Sequence, residues 1–236
     1  MTQKLACLVE RAIPHGERVY TLVLKPERPA PRFRPGQFLH LALDPYDPTG
    51  FWPESRVFSI ASAPHERDRL RITYAVHGGF TGRMEAEALE GRQVWIKLPY
   101  GDFVIDTSAD VALFAGGTGV SAFTAFLEGL PADHPRTVTL AYGARTGRLL
   151  IYRDALERCA ARGAALDVLY FVERPDGTMS GARTGRVSVE AVWPALRDPR
   201  QTQFYISGPP LMLKGIAQDL RERGVEPGAI HIDAWE

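Results

Sequence analysis

Arg56-Val57-Phe58-Ser59-Ile60-Ala61-Ser62-Ala63-Pro64 sets a fixed cation, an aromatic ring and a hydroxyl within four residues on a strand-like run. Side chains alternate along a strand, so Arg56 and Phe58 share one side while Ser59 turns to the other, unless a bend re-aims it. The planar, permanently charged fork of an arginine donates two parallel hydrogen bonds to phosphate oxygens. Phe58 can cover an aromatic ring, and Ser59 can meet a ring nitrogen as donor or acceptor. These are the parts that hold a flavin. The same four residues also fit an ordinary edge strand with a surface arginine, and the rest of the chain decides between the two.

Around this stretch, residues 3–105 read as short strands with turns between them. Apolar residues alternate near residues 5–9, 19–24, 38–43, 57–60, 70–75 and 94–98. Regular spacing of this kind predicts a small antiparallel barrel. Asp44-Pro45-Tyr46-Asp47-Pro48-Thr49-Gly50-Phe51-Trp52-Pro53 is too rich in proline and turn formers for a strand and reads as a long loop. The helix expected in this half covers residues 81–89, with Thr81 as its N-cap and Met84, Ala88 and Leu89 on one face.

Past Asp106-Thr107-Ser108 the pattern changes. Apolar runs at residues 111–115, 138–142, 166–172, 204–207 and 230–235 alternate with amphipathic stretches at 122–130, 153–162, 188–196 and 211–223. Strands separated by helices imply a five-stranded parallel sheet covered on both faces. The expected organisation is therefore two domains: a β-barrel over residues 1–106 and an α/β domain over 107–236.

Composition narrows the function. The 236 residues carry 28 basic and 28 acidic side chains, so bulk charge offers no grip on nucleic acid or on an anionic membrane. No stretch approaches the ~20 apolar residues that span a bilayer, and Met1-Thr2-Gln3-Lys4-Leu5 opens no apolar leader, which predicts a cytoplasmic protein. Cys7 and Cys159 are the sole cysteines, which excludes an iron–sulfur cluster held by four thiolates within these residues and argues against zinc. His15, His40, His65, His77, His134 and His231 show no metal-ligand spacing, so no metal site is expected. Gly119-Val120-Ser121-Ala122-Phe123 lacks the second glycine of a nucleophile elbow.

In the second half, Gly116-Gly117-Thr118-Gly119 follows the first strand and opens a helix, a natural seat for a phosphate. Gly117-x-Gly119-x-x-Ala122 also fits the dinucleotide fingerprint, but that reading asks for an acidic residue about 20 positions on. Here the second strand ends in Tyr142-Gly143-Ala144-Arg145. A glycine turn that serves only tight helix–strand packing is the plain alternative.

The opening stretch resembles the Arg-x-(Tyr/Phe)-Ser flavin signature of the ferredoxin–NADP reductase superfamily, and further matches follow in that family's order. They are Phe33-Arg34-Pro35-Gly36-Gln37-Phe38, Gly78-Gly79-Phe80-Thr81, Tyr100-Gly101-Asp102-Phe103, Gly116-Gly117-Thr118-Gly119, Tyr142-Gly143-Ala144-Arg145, Ser207-Gly208-Pro209-Pro210 and Asp233-Ala234-Trp235. The resemblance implies an N-terminal barrel that binds FAD, with FMN the alternative, and a C-terminal domain that binds NADH or NADPH, the nicotinamide entering between them. Arg56 would pair with the flavin pyrophosphate and Phe58 would cover one face of the isoalloxazine. Ser59 would hydrogen-bond near N5, and Val57 and Tyr74 would also contact the cofactor. Gly78, Gly79, Phe80 and Thr81 would hold phosphates, and loop residues Tyr46, Phe51 and Trp52 would stack an adenine.

Gly117, Thr118, Gly119, Arg145, Glu173, Arg174, Gly208 and Pro209 would line the dinucleotide site. Glu173 stands where many NADPH-specific members carry Ser-Arg, which favours NADH; Arg174 pulls the other way, and Arg145 or Arg183 could compensate. Ser207 replaces the cysteine of many members, and Ala122 a proline. Asp233 or Glu236 would help place the nicotinamide, and Trp235 would shield the flavin opposite Phe58. The implied activity is hydride transfer from NAD(P)H to FAD N5, then electron delivery to a ferredoxin, a flavodoxin or an oxygenase component. Reduction of free flavin or ferric chelate, and a non-catalytic electron-transfer subunit, are the alternatives. Arg32, Arg34, Arg67, Arg69, Arg71 and Arg83 are candidates for a basic docking patch for an acidic partner.

Overall fold

The computed structural model describes residues 2–163, 165–178 and 181–234. Trp235 and Glu236, and with them the shielding and placing roles expected there, lie outside the described residues. The chain divides into two compact units, residues 1–104 and 105–236.

In the first unit, strands β1 (Gln3–Gly16), β2 (Val19–Pro26), β3 (Phe38–Ala42), β4 (Ser55–Ser59), β5 (Leu70–Ala75) and β6 (Gln93–Tyr100) form one antiparallel sheet in the order β4-β3-β6-β1-β2-β5. Its edges meet where the Ala61 N–H, just past β4, donates to the Arg71 carbonyl of β5 at 2.8 Å, which nearly closes a barrel. Alternation works as expected: Leu5, Cys7 and Val9 of β1, Leu22 and Leu24 of β2, and Leu70 and Ile72 of β5 point into one buried core. β1 runs to residue 16, well beyond the alternating stretch, because register shifts after Val9 and after Pro14 absorb the break in pattern.

Helix α1 (Gly79–Glu87) crosses the unit and buries Phe80 and Met84. It starts two residues before the expected position. Thr81 is therefore not the N-cap: its hydroxyl accepts from the N–H groups of His77 and Gly78 at 2.9 and 3.1 Å and fastens the turn that leads into the helix.

The second unit is built on β7 (Asp110–Gly116), β8 (Val138–Ala144), β9 (Leu166–Val172), β10 (Arg183–Thr184), β11 (Thr202–Ser207) and β12 (Ile230–Ile232), in the order β10-β9-β8-β7-β11-β12, every pair parallel. The sheet thus has six strands where five were expected. The extra one, β10, is two exposed residues, too short to carry any periodicity. Helices α2 (Ser121–Glu128), α3 (Arg153–Ala161), α4 (Val189–Val192) and α5 (Pro210–Glu222) connect the strands. Only residues 189–192 of the expected 188–196 helix are α-helical; a 3₁₀ turn over Trp193–Ala195 follows, where Pro194 supplies no N–H to continue the ladder.

Candidate functional site

Two clusters of sequence-predicted residues form, one in each unit. In the first unit Arg56 is exposed on β4, and its guanidinium lies 5.1 Å from the centre of the Phe80 ring in the first turn of α1. The first-turn N–H groups of a helix have no partner within it, and the helix dipole places partial positive charge there. Gly78 and Gly79 at this end have nothing within 4 Å of where a Cβ would stand. An arginine fork and a bare helix N-terminus on one open surface fit a diphosphate. In this structure Arg56 Nη2 pairs with Glu54 at 3.0 Å and Nη1 donates to the Ser55 carbonyl at 2.9 Å, exposed contacts that an anion can displace.

Phe58 is half-buried beside Arg56's strand position, edge-on to Tyr74 at 6.1 Å between centroids. Tyr74 stacks on Tyr20 at 5.5 Å and is only 4% exposed, so it backs Phe58; burial pushes its hydroxyl pKa up. Val57 is half-buried, and Ser59, at the end of β4 and paired with Phe38 in the ladder, is 8% exposed. In loop 44–55, Tyr46 and Trp52 pack on each other at 5.2 Å and around the Lys4 ammonium, whereas Phe51 is fully exposed. Of the three adenine-stacking candidates, Phe51 alone keeps a wholly uncovered ring.

Sequence reasoning missed what holds α1 in place. Arg18 donates through Nε to both Glu85 oxygens at 3.1 Å, and Tyr20 donates to Glu85 Oε1 at 2.9 Å. Arg83 donates to both Asp44 oxygens, at 3.2 and 2.8 Å, and to Glu87 at 2.9 Å. These arginines hold the carboxyls of Glu85, Asp44 and Glu87 below the ordinary carboxylate range. The expected basic patch is correspondingly reduced. Arg69 pairs with Glu10, Arg71 with Glu66, Arg83 with Asp44, and Arg67 donates to the Ala30 carbonyl.

In the second unit Gly117, Thr118, Gly119, Arg145, Glu173, Arg174, Ser207, Gly208, Pro209 and Asp233 lie at the carboxyl ends of the parallel strands. The chain leaves β7 toward β8 on one side, while β11 lies on the other, so strand order reverses between β7 and β11, the place where open α/β sheets form a ligand crevice. Gly116-Gly117-Thr118-Gly119 leaves β7 there, and Ser207-Gly208-Pro209 leaves β11. The two turns touch. A Cβ on Gly119 would stand 2.4 Å from the Ser207 carbonyl oxygen, and one on Gly116 would stand 2.5 Å from Met212 Sδ. These two glycines serve backbone packing. Gly117, at φ +54°, has nothing within 4 Å and is the one open to a ligand.

Ser207 and Asp233 are both buried, at 2% and 4% exposure, and the Ser207 hydroxyl donates to Asp233 Oδ2 at 2.8 Å. Asp233, near the end of the chain, is thus no solvated carboxylate, and its N–H donates to the Ile206 carbonyl at 2.9 Å. Ser207→Ala removes a buried partner and should cost about 1–2 kcal/mol in urea unfolding, while Ser207→Thr, which keeps the donor, recovers part of it. Loss within about 0.3 kcal/mol for Ser207→Ala would show that the bond contributes nothing.

At the other end of the crevice the N–H groups of Glu173 and Arg174 donate to the carbonyls of Ala144 and Arg145, at 3.1 and 2.8 Å, which ties the ends of β8 and β9 together. Glu173 pairs with Arg186 at 3.3 Å, a partner the sequence reading did not include. Arg183 donates to the Ala191 carbonyl and lies over the Phe171 ring. Among the described residues no group of three or more His, Cys, Asp or Glu side chains is placed to hold a metal ion, and no helix is long and apolar enough to cross a membrane.

Residues 113–218 match the oxidoreductase NAD-binding domain. The chain is 30% identical over 217 residues to the 3-ketosteroid-9-alpha-monooxygenase ferredoxin reductase component of Mycobacterium tuberculosis, covering 89% of this chain and 58% of that protein. It is 27% identical over 208 residues to the toluate 1,2-dioxygenase electron transfer component of Pseudomonas putida, covering 86% and 59%. The chain thus spans less than two thirds of the length of these curated relatives. Its fold matches the flavohem-like FAD/NAD binding domain of nitric oxide dioxygenase from Vibrio cholerae O1 biovar El Tor, with a TM-score of 0.84, 18% identity and 98% coverage of both chains. The barrel followed by the six-stranded parallel sheet and these similarities agree: the chain has the two-domain fold of ferredoxin–NADP reductase-like flavoproteins, and its residues 113–218 form an oxidoreductase NAD-binding domain.

Proposed function

We propose that this chain is an NAD(P)H-dependent flavoprotein oxidoreductase that passes electrons to a redox protein, with residues 1–106 as its FAD domain and 107–236 as its NAD(P) domain. The observation that carries this reading is the meeting of Arg56 with the N-terminus of α1. When bound there, a flavin supplies a hydride acceptor at N5 and the capacity to release electrons one at a time. Arg56 and the N–H groups of Gly79, Phe80 and Thr81 bind the diphosphate. Thr81 contributes through its backbone, since its hydroxyl already holds the preceding turn. Phe58, backed by Tyr74, covers one face of the ring system, and Ser59 donates to the reacting edge.

In the second unit the open Gly117 turn and the Gly208-Pro209 turn seat the dinucleotide phosphates, and the buried Ser207–Asp233 pair fixes the floor beneath the nicotinamide. The M. tuberculosis and P. putida relatives are named as a ferredoxin reductase component and an electron transfer component, which supports a ferredoxin or oxygenase component as the acceptor. A cytoplasmic location, with NADH at hand, belongs to the same reading.

The test is flavin content and NAD(P)H oxidation by the isolated chain with ferricyanide, followed by ferredoxin-dependent cytochrome c reduction. One FAD per chain and turnover with both acceptors are expected; a colourless, inactive chain after incubation with FAD contradicts the proposal.

NADH is the preferred donor. The Glu173 carboxylate repels a 2′-phosphate and accepts hydrogen bonds from a ribose diol. Its pairing with Arg186 softens this, so Glu173→Ser should shift the ratio of kcat/KM toward NADPH by about tenfold. An unchanged ratio, or a wild-type preference for NADPH, contradicts the role of Glu173.

A further inference from the structure

The geometry points to Gln37 as a positioning residue for Ser59: its side chain locks the two motifs at residues 33–38 and 100–103 into a clasp around the end of β4. The inference rests on Ser59 facing the reacting edge of the flavin, and it gives a role to two motifs that neither the flavin seat nor the nucleotide seat uses.

Ser59 is the last residue of β4, and its pairing with Phe38 is where the ladder between β4 and β3 ends. Residues directly opposite in an antiparallel ladder share a face, so the two side chains stand side by side. Just past this pair the Ile60 N–H donates to the Gln37 carbonyl at 3.0 Å. The aim of the Ser59 hydroxyl is therefore set by how firmly Gln37 and Phe38 are themselves held.

Both are held by the end of β6 and the residues after it. Gln37 Nε2 donates to the Gly101 carbonyl at 3.0 Å, and Gln37 Oε1 accepts from the Arg34 N–H at 2.9 Å. One amide thus gives a donor to one motif and an acceptor to the other, a pairing that a carboxylate or a thioether of similar length cannot reproduce. The Phe38 ring stacks on Tyr100 at 5.8 Å between centroids and lies against Gly101, where a Cβ would stand 2.7 Å from two ring atoms. Gly36, at φ +92°, passes so close to the Phe103 carbonyl that a Cβ has no room there. The glycines of the two motifs let the backbones close, and Gln37 fastens them. The clasp's hydrogen bonds involve neither Arg56 nor α1, so loss of the Gln37 amide loosens Ser59 and leaves the diphosphate seat in place.

The test is a double-mutant cycle on the full chain: wild type, Ser59→Ala, Gln37→Met and the double variant, each loaded with FAD, its visible spectrum recorded, and then reduced anaerobically with excess NADH. Ser59→Ala should slow flavin reduction about tenfold and Gln37→Met about fivefold, while the double variant should be slower than Ser59→Ala by no more than about twofold. The two single variants should shift the flavin absorption band alike, and the Kd for FAD should stay within about threefold of wild type throughout. Gln37→Glu, which keeps the acceptor for Arg34, should be slowed less than Gln37→Met, and it takes that variant's place in the cycle should Gln37→Met not fold. No slowing by the Gln37 variants, a multiplied loss of about fiftyfold in the double variant, or a band shift unlike that of Ser59→Ala overturns the positioning role. A Ser59→Ala variant reduced at the wild-type rate removes Ser59 from the reacting edge and the role of Gln37 with it, but leaves the flavin seat standing. A wild type that binds no flavin overturns the proposed function itself.

Discussion

Gly119→Ala is expected to lower the melting temperature by roughly 5–10 °C, because the added methyl has no room and its neighbours cannot yield. Its Cβ would stand 2.4 Å from the Ser207 carbonyl oxygen, 2.6 Å from the Ser207 carbonyl carbon and 2.7 Å from the Gly208 nitrogen. All three are backbone atoms at the end of β11, and that strand pairs with β7 through Ser207 and Ala115. Relief therefore means parting two central strands or displacing the Ser207–Asp233 hydrogen bond. Gly117→Ala, two residues away, is the control. Nothing lies within 4 Å of it, so the cost is confined to placing a side chain at φ +54°, about 1–2 kcal/mol, while the new methyl would intrude on the proposed dinucleotide seat. Thermal unfolding with NAD+ titration separates the two: loss of stability for Gly119→Ala, loss of nucleotide affinity for Gly117→Ala. A Gly119→Ala variant as stable as wild type contradicts the close approach of the two turns.

Arg56→Ala should raise the flavin Kd roughly ten- to a hundredfold, the equivalent of losing one charge-assisted contact of about 1.5–3 kcal/mol. The full value is not realised, since Arg56 gives up its exposed pair with Glu54 when it takes a phosphate. Arg56→Lys keeps the charge without the fork and should fall between the two. The fold does not depend on this side chain, which is exposed, so the melting temperature of the flavin-free protein should stay within about 2 °C of wild type. Retention of full flavin occupancy by Arg56→Ala at sub-micromolar protein removes Arg56 from the site.

Much of this architecture was legible because the two halves obey different periodicities. Leu5, Cys7 and Val9 alternate with exposed or half-buried neighbours, as a barrel strand covered on one face must, whereas residues 111–116 of β7 are all buried, as in a parallel strand covered on both. What escaped the sequence is long-range or short. Arg83 and Asp44 are 39 residues apart, and Arg18 and Glu85 are 67 apart; no local pattern announces such partners. The β1–β2 turn is a related case. Glu17 and Arg18 both take positive φ, +47° and +58°, where Asn-Gly would be the usual choice. Arg18 is held there by Glu85 and by its carbonyl, which accepts from the Val76 N–H at 3.0 Å. Ser207 was legible as a departure from the family's cysteine, yet its bond to Asp233 was not, because a separation of 26 positions hides that the ends of β11 and β12 lie side by side.

The central claim is that the chain holds a flavin that its own nicotinamide site can reduce. Anaerobic titration of the flavin-loaded protein with NADH tests it most directly. The account predicts that the yellow absorbance bleaches to completion at about one NADH per flavin and returns on admission of ferricyanide. Oxidised flavin that persists in excess NADH and in excess NADPH would contradict it.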